Sequence, residues 1–286
     1  MNRYQIGLYE KAMPNTLSWR EKLETTKACG YDFLEISIDE TDEKLSRLKM
    51  PPTDRLELLR MMYETKMPIR TMCLSGHRKY PLGSEEKAVR ARSLEIMENA
   101  INLAYDLGIR IIQLAGYDVY YAPSTARTKE LFYDGLLQSV AMASAKGVIL
   151  AFETMETEFM NTVSKAMHYV TTINSPYLLV YPDCGNMTNA AKLYGASEID
   201  DLRSGRGALA ALHLKETVPG KFREIPYGTG HVNFKGMIQT ALELQVGLFV
   251  TEFWYTGESD CKQTIQAAKR FIDLQFEPQE REAQYT

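Results

Sequence analysis

Four polar residues interrupt apolar stretches of this chain: Glu153 in "LAFET", Asp183 in "VYPDC", His213 in "ALHLK" and Glu252 in "VTEFW". A carboxylate buried alone in such surroundings costs several kcal/mol. Three buried close together cost more, because each raises the pKa of the others. A divalent cation removes both costs. Three carboxylate oxygens and one imidazole nitrogen suit Mn²⁺, Co²⁺, Zn²⁺ or Fe²⁺. A lone Glu at a strand end is often a helix cap or an ion-pair partner, and a lone His on an apolar strand is more often a satisfied core group. Four such residues, at the same end of four successive strands, point instead to a shared metal site.

These residues need elements that bring them to one point. Apolar strands are expected at "YQIGLY" (4–9), "FLEISI" (33–38), "IRTMCL" (69–74) and "RIIQLA" (110–115), then at "VILAFE" (148–153), "YLLVYPD" (177–183), "ALAALHLK" (208–215) and "LFVTEFW" (248–254). Amphipathic helices alternate with them, near 17–28, 54–66, 85–107, 126–146, 161–173, 190, 234–244 and 261–275. Gly30, Gly108 and Gly147 stand where three of these helices should stop. Strands alternating with helices imply a parallel sheet. Eight units in a chain of this length favour a closed α/β barrel, a (β/α)8 TIM barrel forming a single domain over residues 1–276. The polar "EPQEREAQYT" (277–286) reads as a loose tail. No G-x-G-x-x-G follows the first strand, where "GLYEKAMPN" stands, so an open dinucleotide-binding sheet is disfavoured. In a barrel, chemistry sits at the C-terminal strand ends, where the four residues fall.

Composition narrows the classes. The 286 residues carry a net charge of −4, with no basic surplus for nucleic acid. Cys29, Cys73, Cys184 and Cys261 are far apart and form no C-x-x-C pair, which argues against a zinc ribbon or a redox motif. No apolar run approaches a membrane span and the N-terminus lacks a signal-peptide core, so a cytoplasmic location is expected.

The series Glu153, Asp183, His213 and Glu252 resembles the metal set of the xylose-isomerase-like sugar epimerase barrels, a family that includes ketose 3-epimerases. Longer stretches carry the resemblance too: "GLYEKA" (7–12), "DETDEKLSRL" (39–48), "MCLSGHRKYPLGSE" (72–85), "RIIQLAGYDVYY" (110–121), "YPDCGN" (181–186) and "HLKETVPGKF" (213–222). Within the family the likeness is strongest to members acting on pentulose 5-phosphates. It implies interconversion of L-xylulose 5-phosphate and L-ribulose 5-phosphate by removal of the C3 proton through a cis-enediolate. It also implies one divalent ion (Zn²⁺, Mn²⁺ or Co²⁺), Glu153 and Glu252 as both ligands and acid/base pair, and Asp183 and His213 as ligands only. A homodimer is implied as well.

One departure bears on the substrate. Free-ketose members of the family carry a His three residues after the strand-six Asp, whereas this chain has Asn186. Asn186 can hydrogen-bond a sugar oxygen but carries no charge, and the pentulose-phosphate members resemble the chain here. Candidate phosphate and sugar contacts are Ser75, the Gly76 amide, His77, Arg78 and Lys79 after strand three, with Lys215 beyond His213 and Arg223 in the loop 218–234. Glu156 and Glu158 are candidates for sugar hydroxyls, and Tyr117, Tyr120 and Tyr121 for the rim. His231 reads as structural and His168 as a surface residue. Competing readings are an aldose–ketose isomerase on the same barrel, a non-catalytic sugar-binding module, and a DNA-repair endonuclease of the apurinic-site type. Four histidines in all and an acidic balance weigh against the last.

Overall fold

The computed structural model describes residues 4–277 and is an eight-stranded parallel α/β barrel. The strands are β1 (Gln5–Tyr9), β2 (Phe33–Ile38), β3 (Ile69–Leu74), β4 (Ile111–Ala115), β5 (Ile149–Glu153), β6 (Leu178–Val180), β7 (Leu212–Leu214) and β8 (Leu248–Thr251). β1 pairs with both β2 and β8, so the first and last strands are neighbours in the sheet. The ring closes between β6 and β7. Val180 N donates to Ala208 O, Ala210 N to Val180 O, and His213 N to Pro182 O, all at 2.8–2.9 Å. Of the tail expected at 277–286, all but Glu277 lies outside the described residues.

The helices are α1 (Trp19–Ala28), α2 (Asp42–Ser46), α3 (Pro52–Thr65), α4 (Lys87–Leu107), α5 (Ala126–Lys146), α6 (Val163–Ile173), α7 (Cys184–Tyr194), α8 (Glu198–Ser204), α9 (Phe234–Glu243) and α10 (Cys261–Phe276). A capping box of Ser18 and Glu21 starts α1. Gly108 and Gly147, both left-handed, stop α4 and α5. The strands bury both faces, which is why their sequences run nearly unbroken in apolar residues. One face packs on the helices, as with Leu34, Ile36, Met97, Ala100 and Leu136. The other fills the barrel with Phe33, Ile111, Ala151, Ala211 and Val250. A Cβ at Gly7 would run into the Phe33 ring, so the missing side chain lets Phe33 plug the floor.

Several elements differ from the sequence reading. β8 ends at Thr251 rather than Trp254, so Glu252 lies just past the strand. β6 ends at Val180 rather than Asp183: Pro182 has no N–H for the ladder, and the Asp183 side chain turns to cap α7. β7 is regular only over Leu212–Leu214, and the segment before it joins β6 by one isolated bridge, Val180 to Leu209. The short helices α2 and α8 were not expected, since five and seven residues are too few to show a helical period.

At the rim beside β1, one buried carboxylate gathers three cations. Glu10 accepts from Lys22 Nζ at 2.7 Å, Lys44 Nζ at 2.8 Å and Arg47 Nη1 at 2.8 Å, and from the Ser37 amide at 2.9 Å. It thereby ties the β1 loop to α1, β2 and the α2 segment. Burial alone pushes its carboxyl up, but Arg47, Lys22 and Lys44 together outweigh it and hold it at about 2. Lys44 itself is lowered, because burial costs it more than a third share of one carboxylate returns. The folded carboxyl thus lies below the ~4.3 of an unfolded Glu. Its contribution is fully present above that pH and is lost as pH falls toward 2. Glu10→Gln is expected to destabilise by about 3–5 kcal/mol at pH 7, since two buried lysines and the half-buried Arg47 lose their counterion. Urea unfolding checks this, and the gap between variant and parent is expected to narrow on acidification from pH 4.5.

Candidate active site

Above the apolar floor the barrel interior turns polar. Glu153 is the last residue of β5, His213 lies mid-β7, Glu252 directly follows β8, and Asp183 is the N-cap of α7. All four are buried, and one ligand atom from each lies within 4.8 Å of the others. Asp183 Oδ1 accepts from the Asn186 amide at 2.7 Å, which aims the carboxylate inward. Its other oxygen, Oδ2, is buried with no hydrogen-bond partner. His213 Nδ1 lies 3.0 Å from Glu252 Oε2. Such a donor set, with a bare buried oxygen turned into it, fits a divalent cation.

The charges are arranged unequally. Burial first, then the Glu252 charge, push the Glu153 carboxyl up to about 8. Burial pushes Asp183 up to about 7 despite the opposing pull of Lys215. Glu252 goes the other way: burial would raise it, but Lys215 and His213 flank it and hold it low. Lys215 Nζ sits 3.3 Å from Asp183 Oδ1 and 3.6 Å from Glu252 Oε2. The mutual raising expected for three acids therefore holds for two of them, and the third is neutralised by bases.

The cavity over this set is walled by Tyr9, Lys11, Cys73, Ser75, Arg78, Glu156, Lys215, Phe222, Arg223 and Trp254. Of the residues expected at the site, Ser75, Arg78, Glu156, Lys215 and Arg223 line it. Glu156 Oε1 accepts from Tyr120 OH at 2.9 Å and from Arg223 Nη2 at 3.4 Å, which ties the loop after β7 to the loop after β5. Arg78 stacks on the Tyr120 ring, 4.7 Å from its centroid, and makes no ion pair among the described residues. Asn186, also buried, donates to Thr154 O at 2.7 Å and lines an adjoining cleft with Met155 and Glu156.

His77 is not on this wall. It is buried with Nε2 3.1 Å from Ser93 O, and burial lowers it to about 4, so it is a neutral prop for α4. Lys79, Glu158 and His168 are exposed, and Tyr121 is largely so. His231, in the loop after β7, contacts Thr217 of the same loop and Lys192 of α7.

Sequence reading missed two organising acids. Glu216 accepts from the amides of Thr217, Val232 and Gly228, so one carboxylate shapes the loop after β7. Glu35, mid-β2, lies 2.6 Å from His213 Nε2. Its signal was present, since "FLEISI" has a lone carboxylate between apolar residues. It stands mid-strand below the rim, however, away from the strand ends where a barrel's chemistry sits.

A family sequence model described as xylose isomerase-like TIM barrel matches residues 23–274. The chain belongs to that family. SgbU of Escherichia coli strain K12 is 44% identical over 284 residues, covering 97% of this chain and 98% of that protein. L-Ribulose-5-phosphate 3-epimerase UlaE of Shigella sonnei is 43% identical over 267 residues, covering 92% of each. Among solved structures, D-allulose 3-epimerase from Methylomonas sp. in complex with D-allulose superposes with a TM-score of 0.77 at 17% identity, covering 96% of this chain and 98% of that one. That likeness speaks to the fold alone. As a member of this xylose isomerase-like family with epimerases at such identity, the chain is an enzyme of the isomerase class. No helix among its described residues is long and apolar enough to cross a membrane.

Proposed function

We propose that this enzyme is a metal-dependent 3-epimerase that interconverts L-xylulose 5-phosphate and L-ribulose 5-phosphate. The observation that carries the reading is the buried convergence of Glu153, Asp183, His213 and Glu252 beneath a cavity with cationic walls. Those four side chains would hold one Zn²⁺, Mn²⁺ or Co²⁺, which when bound stabilises the negative charge developing on the sugar oxygens as C3 loses its proton. Glu153 and Glu252 come from β5 and from the end of β8 and flank the site. Each serves one face of C3: one takes the proton, giving a cis-enediolate, and the other returns a proton to the opposite face. In the reverse direction the roles exchange. Lys215 sits between Asp183 and Glu252 and donates toward a substrate oxygen. A cytoplasmic location is part of the same reading, in keeping with four free thiols.

The phosphate end is assigned from charge. Arg78 faces the cavity with its Nε unpartnered, and Lys11 and Ser75 lie on the same wall. A guanidinium without a carboxylate suits a phosphate oxygen pair. Removing it in Arg78→Ala is expected to raise KM for the pentulose 5-phosphate by about 10-fold or more, the worth of one charged hydrogen bond. KM for the unphosphorylated pentulose, and kcat for both, should stay near the parent values. Equal losses on both sugars would remove Arg78 from the phosphate subsite. The function itself is tested by incubating the metal-loaded enzyme with L-xylulose 5-phosphate and identifying the product after dephosphorylation. L-Ribulose is expected; an aldopentose would establish the aldose–ketose isomerase instead.

A further inference from the structure

We propose that Glu35 is a positioning residue that fixes which nitrogen His213 presents to the metal. The inference rests on the metal-site reading and adds a residue outside the four ligands. Glu35 and His213 are both wholly buried, with Glu35 Oε1 2.6 Å from His213 Nε2. The other oxygen, Oε2, accepts from Thr71 Oγ1 at 2.7 Å and from Tyr181 OH at 3.0 Å. Two hydroxyls from β3 and the β6 end therefore pin the carboxylate, which leaves Oε1 to the imidazole. Tyr181 also packs edge-on against the His213 ring, with centroids 4.9 Å apart and planes at 74°, which limits its rotation.

A carboxylate oxygen only accepts, so the contact to Glu35 keeps a proton on Nε2. The lone pair available to a cation is then on Nδ1, the nitrogen that faces Glu252 Oε2 at 3.0 Å. The Gln113 side-chain amide also reaches that same Nδ1, at 3.2 Å. With Nε2 held by Glu35, the ring cannot flip to offer its other nitrogen without breaking a buried charged hydrogen bond. A carboxylate on the far nitrogen of a ligating imidazole also raises its basicity toward the metal.

The test compares metal affinity of folded proteins. Apo enzyme is titrated with Co²⁺ in competition with a chelator, following the visible absorption band, for the parent, Glu35→Gln, and the paired variant Thr71→Val/Tyr181→Phe. Glu35→Gln keeps the shape and is expected to weaken Co²⁺ binding by about 10–100-fold, the usual effect of losing such a partner. The band should also shift, since the imidazole donor changes. The paired variant frees the carboxylate and is expected to show a smaller loss in the same direction. It keeps the question open to test if Glu35→Gln does not fold. Parent-like affinity and an unchanged band in whichever of these variants folds would overturn the proposal and leave Glu35 a stability residue. Asp183→Ala is titrated in parallel. If it binds Co²⁺ as tightly as the parent, the metal-site reading itself fails, and the Glu35 proposal falls with it.

Discussion

Glu153→Gln and Glu252→Gln are each expected to lower kcat by about 10²–10⁴-fold, the usual worth of one positioned acid/base group. Glutamine keeps the volume and one ligand oxygen, so the barrel should stay folded. Assays at saturating metal separate lost proton transfer from weakened ion binding. The two variants should also fail differently. With Glu153 removed, Glu252 still faces one side of C3, so one epimer should exchange its C3 hydrogen with solvent without inverting. With Glu252 removed, the other epimer should do so. Near-parent turnover in either variant would reject the acid/base role assigned to that residue.

Removing the ion is expected to have a comparably large effect. Glu153, Asp183 and Glu252 converge with His213, and Asp183 Oδ2 has no other partner. Without a cation, Lys215 is left to stabilise charge spreading onto the sugar oxygens. Its charge is already shared between Asp183 and Glu252, so it replaces the ion poorly. Exhaustive chelation should lower turnover by at least about 10³-fold, the scale of losing the main electrostatic stabiliser. Back-titration should restore activity at one equivalent per chain, and comparing Zn²⁺, Mn²⁺ and Co²⁺ identifies the preferred ion. Full activity in protein shown by elemental analysis to be metal-free would contradict the assignment.

Much of this was legible in the sequence because burial makes polar residues conspicuous. Strands covered on both faces read as apolar runs, so one acid in each of "LAFET", "VYPDC" and "VTEFW" stood out. The glycine stops at 108 and 147 fixed helix ends because a left-handed residue is needed there. What failed has physical causes as well. Asp183 looked like a strand residue, but proline before it ended the ladder and a helix N-terminus claimed its side chain. His77 looked like a phosphate contact by its basic neighbours, yet the turn after β3 points it at α4 while Arg78 takes the cavity. Glu35 and Gln113 act across the barrel on a residue 178 or 100 positions away, a relation no local pattern encodes.

The most direct measurement follows the hydrogen itself. L-Ribulose 5-phosphate is incubated with metal-loaded enzyme in deuterated water, and the product is mapped by NMR. L-Xylulose 5-phosphate carrying deuterium at C3 alone is expected, with no label incorporated once the ion is stripped. Label at C1 or C2, or epimerised product with no deuterium, would contradict it.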